Sequence, residues 1–297
     1  VEHAMLKREF NLLYKERFGF LFVAPALLFF ALFYLYPILD AIKVSFYKYT
    51  YYSSGWAGIG NYQSLLQDDV FLRSVKNTLL IVIMFVPATL IISFILSIFI
   101  SLFRTRLQSV FKAVFYIPAV TSIVSITFMW QYLLNYDFGL LNFLLGLFDI
   151  DKVNFLSYDR AIVTTTVVVL TISLGGPIVI LSAALGGIPV SYYEAAELDG
   201  ASFWRKHIRI TLPMMKPTIL FVAVTSTIGA FQLFAIILLF TAGGPNYATT
   251  TILLLLYQEA FVNGDYGRAN AMAVILSIII VIIAWLQFKF LRTDIEY

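Results

Sequence analysis

Six stretches of this 297-residue chain are long, apolar and free of Asp, Glu, Lys and Arg: Phe18 to Leu39, Asn77 to Phe103, Ala113 to Leu134, Ala161 to Leu185, Thr218 to Ala242 and Ala269 to Phe288. A helix needs about 20 such residues to cross the hydrocarbon core of a bilayer. Inside hydrocarbon only a helix or a closed barrel satisfies every backbone N–H and C=O, and a barrel would show short alternating segments instead. The pattern predicts an all-α polytopic membrane protein with six transmembrane helices. Composition agrees, with 61% of residues hydrophobic and 12% charged, where a water-facing surface calls for about a quarter charged. A cleaved signal could mimic one apolar run but not six, and the first is too long for a signal core. Thr251 to Tyr257 is too short to span and reads as part of an external loop, as a short helix lying at the surface.

The basic residues set an orientation. Thirteen of the 20 Lys and Arg fall in the N-terminal tail, the second-to-third and fourth-to-fifth connections and the C-terminus, against seven on the other side. The positive-inside rule then puts both termini in the cytoplasm. Residues 1–17 form an amphipathic tail, with Leu6, Phe10, Leu13 and Tyr14 set against Lys7, Arg8, Glu9, Lys15 and Arg17. It reads as a helix along the cytoplasmic interface, or as an ordinary basic flank of the first span. No internal repeat is visible, and residues 1–297 read as a single transmembrane domain embedded in lipid. A net charge of +3, with its cations in short clusters between apolar runs, gives no surface for nucleic acid. The absence of Cys excludes disulfides and thiolate metal sites, and His3 and His207 are too few for a histidine metal site.

Pro25, Pro37, Pro87, Pro118 and Pro177 fall within the spans, where each would kink or break a helix. Gly175-Gly176-Pro177, near the middle of the fourth span, is the most disruptive. Two readings stay open there: a broken helix exposing backbone to a substrate path, or close helix packing through small residues.

The fourth-to-fifth connection is the most informative segment. It reads IPVSYYEAAELDGASFWRKHIRITLP over 188–213, a helix, a tight turn and a second helix. Ser191 with Glu194 three places on reads as a capping box, Gly200 as the left-handed residue that closes the first helix, and Ser202 as the cap of the second. The first piece is acidic and the second basic. Tyr192, Leu198, Phe203, Trp204 and Ile208 are apolar with no membrane to bury them, which suits a hook over 191–213 that docks into a groove on a soluble partner.

The nine residues Glu194, Ala195, Ala196, Asp199, Gly200, Ala201, Ile210, Leu212 and Pro213, in this register, resemble the signature loop of inner-membrane permeases of binding-protein-dependent ABC importers. Further matches extend over nearly the whole chain and resemble the sugar-permease branch, of maltose, oligosaccharide and glycerol phosphate type: Tyr36-Pro37, Gly60-Asn61-Tyr62, Asn77-Thr78, Tyr116-Ile117-Pro118, Trp130, and Thr241 with Gly243-Gly244-Pro245. His207 stands where that family often has an aromatic residue. The resemblance implies a bacterial or archaeal cytoplasmic-membrane subunit working with a second homologous permease, a cytoplasmic ABC ATPase dimer and an extracytoplasmic solute-binding protein. It further implies that the hook is the ATPase-coupling element and that alternating access moves a carbohydrate. This chain has no phosphate-loop motif, so it is read as a non-enzymatic subunit that binds no cofactor, with ATP and Mg on the partner ATPase subunits.

Candidate residues for the substrate path are Gln232 and Phe231 in the fifth span and Ser173 in the fourth. An amide beside aromatics suits a sugar, whose hydroxyls seek hydrogen bonds and whose faces stack; bonding to a neighbouring helix is the other role open to Gln232. Thr164, Thr165 and Thr166 read as bonded to their own helix, and Asn270 as a helix-end or packing residue. An oligosaccharide is the expected cargo, with a polyol or glycerol phosphate ester as the alternative. An ion-coupled secondary carrier is the rival class, disfavoured because such carriers place a carboxylate within their spans.

Overall fold

The computed structural model describes residues 17–291, so the expectation of an amphipathic tail falls outside the described residues. Among the described residues the regular elements are helices apart from one small hairpin, Tyr47–Tyr49 paired antiparallel with Ser54–Trp56. Among the described residues three helices are long and apolar enough to cross a membrane unaided: α1 (Leu21–Val44), α2 (Asp69–Ser101) and α12 (Tyr266–Leu291). Three more units are bent pairs. These are α3 (Thr105–Val120) with α4 (Ile123–Leu133) at 96°, α5 (Ala161–Ser173) with α6 (Gly175–Gly186) at 49°, and α8 (Phe203–Met214) with α9 (Lys216–Phe231) at 71°. Between them lie α7 (Val190–Leu198), α10 (Ala235–Phe240) and α11 (Ile252–Val262).

The membrane helices depart from the expected spans where side chains set the ends. α1 runs on to Val44, taking in Asp40 and Lys43. α2 begins eight residues before Asn77, because Asp68 caps it, accepting from the N–H groups of Val70 at 2.8 Å and Phe71 at 3.3 Å. Such a cap is worth about 1 kcal/mol. The other oxygen of Asp68 pairs with Arg268, tying the start of α2 to the start of α12. The third span is not straight: three residues after Pro118 the chain leaves helical geometry at Thr121, with ψ 148°, and turns through the 96° bend. The fifth span is not continuous to Ala242 either, since α9 stops at Phe231 and α10 starts only at Ala235.

The main core gathers buried side chains from α2, α5, α9, α10, α11 and α12, among them Phe71, Ile81, Phe85, Phe231, Ile237 and Met272. The expectation of a surface helix at Thr251 to Tyr257 is corrected here. Ile252, Leu254 and Leu255 are buried in that core, and Thr251 caps the helix by accepting from Leu254 N–H. Six consecutive apolar residues have no polar face to show to water, so the segment inserts between α2 and α12. Asn77 fixes its approach by donating to the carbonyls of Tyr247 at 2.8 Å and Thr250 at 3.0 Å.

Large apolar side chains also cover the outside. Ile83, Val163, Phe221, Val281 and Trp285 are all more than half exposed or close to it, as expected of helices whose solvent is lipid rather than water. Serine and threonine hydroxyls inside the spans bond back to their own helices, as Ser74, Thr78, Thr127, Thr165 and Thr166 do. Thr164 departs from its expected role and instead donates to Phe155 in the preceding loop. Asn270 donates to Tyr266 one turn back.

Candidate functional site

The hook between α6 and α9 is built by local chemistry. Pro189 holds φ −58° and ψ 132° at the N-cap of α7, so the helix starts at Val190 and Ser191 already lies inside the first turn. The expected capping box of Ser191 and Glu194 therefore does not form. Its register is two residues late, and no side-chain bond caps the helix. The other end is as the sequence predicts. Gly200 has φ +72°, the N–H of Ala201 bonds the carbonyl of Ala196 at 2.9 Å, and the N–H of Gly200 bonds Glu197 at 3.0 Å. This pair of bonds is a Schellman closure, which needs a left-handed residue where Gly200 stands.

Ser202 occupies the N-cap of α8 in extended geometry but makes no side-chain cap bond. A five-residue π-helical segment, His207–Thr211, follows. It precedes Pro213, which lacks the N–H of a regular helical ladder and crowds the preceding turn; the wider turn absorbs that break.

Two contacts hold the arms of the hook together. Lys206 Nζ pairs with Glu197, so the acidic and basic pieces face each other. The Tyr193 hydroxyl meets Thr211 Oγ1 at 2.8 Å, and His207 Nδ1 meets the same oxygen at 2.9 Å. His207 is buried, with its ring edge-on to Phe203 at 4.5 Å, so it fills the place of an aromatic residue. Burial, and then the nearby Lys206 charge, hold its pKa below the usual 6.5.

The two faces of the hook differ. Tyr193, Glu197, Phe203, Lys206 and His207 line a cavity of about 450 Å³ against the helix bundle. Tyr192, Leu198, Trp204 and Ile208 are 51%, 91%, 53% and 60% exposed. Among the motif residues Glu194, Ala195, Asp199, Gly200 and Leu212 are exposed, and Ala196, Ala201, Ile210 and Pro213 are half-buried.

A second cavity, of about 260 Å³, opens at the break between α5 and α6. Ser173 lines it with Phe85, Pro177, Thr225, Ser226 and Gly229. Phe231 does not line it, being 1% exposed within the main core. Gln232 is exposed at the C-cap of α9, one residue from the cavity-lining Leu233, and is also outside the lining. The helix bend carried both side chains away from where an unbroken span would have put them. Thr225, Ser226 and Gly229 were missed, although a run of small and polar residues in an apolar span is a legible signal. Span four is both broken and closely packed at its glycines. The helix is broken at Leu174, and a Cβ on Gly175 would lie 2.5 Å from Phe115 O and 2.8 Å from Tyr116 Cα, so α6 crosses α3 at backbone distance.

Bent apolar spans, a polar-lined break in mid-bundle and a protruding two-helix hook define a polytopic transport subunit. The chain belongs to the family of binding-protein-dependent transport system inner membrane components, which matches residues 69–292. It is 30% identical to the lactose transport system permease protein LacF of Rhizobium radiobacter over 275 residues, covering 91% of this chain and 92% of that one. It is 29% identical to the multiple sugar-binding transport system permease protein MsmF of Streptococcus mutans over 273 residues, covering 91% and 94%. The fold matches that of a bacterial ABC transporter involved in import of the acidic polysaccharide alginate, with a TM-score of 0.84, 21% identity, and coverage of 97% of this chain and 100% of that one. The chain is thus a multi-pass permease subunit of an ABC importer, which sets aside the ion-coupled carrier.

Proposed function

We propose that this chain forms half of the translocation path for a neutral carbohydrate, an oligosaccharide first, and that its hook couples the path to a cytoplasmic ATPase dimer. The observation that carries the coupling role is the outward face of the hook. Tyr192, Leu198, Trp204 and Ile208 expose apolar surface on an element closed by the Schellman turn and the Lys206–Glu197 pair. An apolar helix face of this kind docks into a groove. In this reading Glu194, Ala195, Asp199, Gly200 and Leu212 meet the ATPase, while Ala196, Ala201, Ile210 and Pro213 hold the shape of the hook.

The partner subunits bind ATP and Mg and do the hydrolysis. A second, homologous but different permease supplies the other half of the path, and a solute-binding protein delivers cargo from outside. Both termini and the hook lie in the cytoplasm.

The cargo assignment rests on the sugar names of LacF and MsmF and on the second cavity. Ser173, Thr225 and Ser226 offer hydroxyls beside Phe85, and none of the described lining residues is charged. A phosphate ester would call for Lys or Arg there, which favours a neutral sugar over glycerol phosphate; a polyol would fit the same lining. Gln232, on the exposed side of the break, is the amide available to the path when the bundle rearranges.

The test is a proteoliposome carrying the four-component complex and offered labelled oligosaccharides, polyols and glycerol phosphate. ATP-dependent uptake of an oligosaccharide alone is expected. Uptake of the phosphate ester in preference to every sugar refutes the cargo, and a reporter active only outside the cell that works when fused after Tyr297 refutes the orientation.

A further inference from the structure

The cavity of about 450 Å³ under the hook has no part in either proposed role, and its lining is of two kinds. Ile100, Leu102, Leu185 and Ile188 make an apolar wall, while Lys112, Gln108, Lys206 and Glu197 make a polar rim. Lys112 has no hydrogen-bond or ion-pair partner among the described residues. On the bundle side sits Ser182, 9% exposed, whose hydroxyl is buried without a partner. Ser97 and Ser101 face the same space but donate to the carbonyls of Phe94 and Ile98 in their own helix. Ser182 has not spent its proton in this way, although a helical serine can do so. A buried polar group without a partner points to a ligand atom it can bond.

We propose that this cavity holds one anionic glycerophospholipid by its phosphodiester headgroup, with Lys112 and Lys206 on the phosphate and Ser182 bonding a glycerol or ester oxygen. The charges match: two lysines and one glutamate leave a single positive charge to meet the single negative charge of a phosphodiester. A lysine carries three donors, so Lys206 serves the phosphate while remaining on Glu197. A lipid fits better than a soluble phosphate because the apolar wall continues outward. Leu102 is 61% exposed, and Phe103 next to it, 45% exposed and packed on the Phe111 ring, extends the apolar surface, where acyl chains would lie. Basic pockets between helices at the membrane surface bind anionic headgroups in this way. The lipid would wedge the hook against α2, α3 and α6 and set how stiffly it transmits force. The inference rests on the chain being a membrane permease with its hook at the interface, and not on which subunit the hook engages.

The experiment is native mass spectrometry of the intact importer complex, purified from membranes containing phosphatidylglycerol. One phosphatidylglycerol per copy of this chain is expected on the wild type and on Lys112→Arg, and its loss on Lys112→Gln. Ser182→Val, which fills the floor without touching charge, should lose it too and serves if Lys112→Gln does not assemble. Lys289→Gln, which removes a cation near the end of α12 outside the cavity, should keep it. Absence of the lipid from the wild type, or its retention on both cavity variants, overturns the proposal. So does inorganic phosphate or glycerol 3-phosphate binding to the delipidated complex in a Lys112-dependent way where added phosphatidylglycerol does not. Subunit composition is read in the same spectra, so failure of the lipid proposal is distinct from failure of the ATPase-docking reading.

Discussion

The Tyr193 hydroxyl lies 2.8 Å from Thr211 Oγ1, a side chain 18 positions later, and this contact joins the two arms of the hook. Thr211 is fully buried and also meets His207 Nδ1. A relay in which Tyr193 donates to Thr211 and Thr211 donates to an unprotonated Nδ1 satisfies all three groups. Thr211→Val keeps the shape and removes both bonds, at a cost of about 1–3 kcal/mol for the buried groups left unpaired. Faster amide hydrogen exchange over 190–211 is expected, with α2 and α12 unchanged. Exchange identical to wild type would show that the arms are held without the relay.

Gly200 presents a cleaner backbone test. Its φ is +72° and nothing lies within 4 Å of where a Cβ would stand, so a substitution meets no neighbour within the chain. The remaining cost is conformational, about 1–2 kcal/mol for a β-branched residue in left-handed geometry. Gly200→Val should open the turn and reduce transport per ATP hydrolysed in reconstituted complexes, and by more than Gly200→Asn, which adds a side chain to the same docking face but tolerates this backbone region. Equal coupling in both variants would remove the turn from the mechanism.

His207 makes the hook sensitive to acid. Its pKa is held below 6.5 by burial and then by Lys206, and Lys206, Lys112 and Glu197 are the charged groups facing the same cavity. The folded hook therefore binds fewer protons than the unfolded one, and stability rises with pH through this window. The contribution is fully present above 6.5 and is lost as the pH falls from there through the lowered folded value. The protection factors of the α8 amides, with the intrinsic pH dependence of exchange divided out, should fall over that interval in the wild type and stay flat in His207→Phe. A flat wild-type profile would mean that the ring is not buried in the assembled importer.

Gly175 is where two spans touch backbone to backbone. A Cβ there would stand 2.5 Å from Phe115 O, and backbone cannot swing aside as a side chain can. Gly175→Ala should destabilise the bundle by about 1–3 kcal/mol, the usual cost of overpacking, and lower the midpoint of thermal unfolding in detergent. Gly176→Ala, which meets nothing within 4 Å, is the control. Equal midpoints for the two variants would contradict the close crossing.

Helix class, the number of apolar spans, the hook and the left-handed turn at Gly200 were all legible in the chain, because each depends on local properties. Apolar length fixes what can sit in hydrocarbon, and a glycine at a helix end needs no distant partner. Register was less legible. Ser191 has the right chemistry for a cap, yet Pro189, by fixing its own backbone, started the helix earlier and stranded the serine inside it. The candidate path shows the same limit, since a break after Phe231 buried that ring and turned Gln232 outward.

Tertiary structure alone decided which side chains meet across long separations. Asn77 reaches the carbonyls of Tyr247 and Thr250 some 170 residues away, Arg268 pairs with Asp68, and Gln131 donates to Leu239 at 2.8 Å and Phe240 at 3.0 Å. Nothing in the neighbourhood of these residues along the chain announces a partner. Hydrophobicity acts through the run of the sequence and can be read from it. A buried amide or ion pair depends on where the bends at Leu174, Thr121 and Gln232 send each helix, and those directions exist only once the helices have packed.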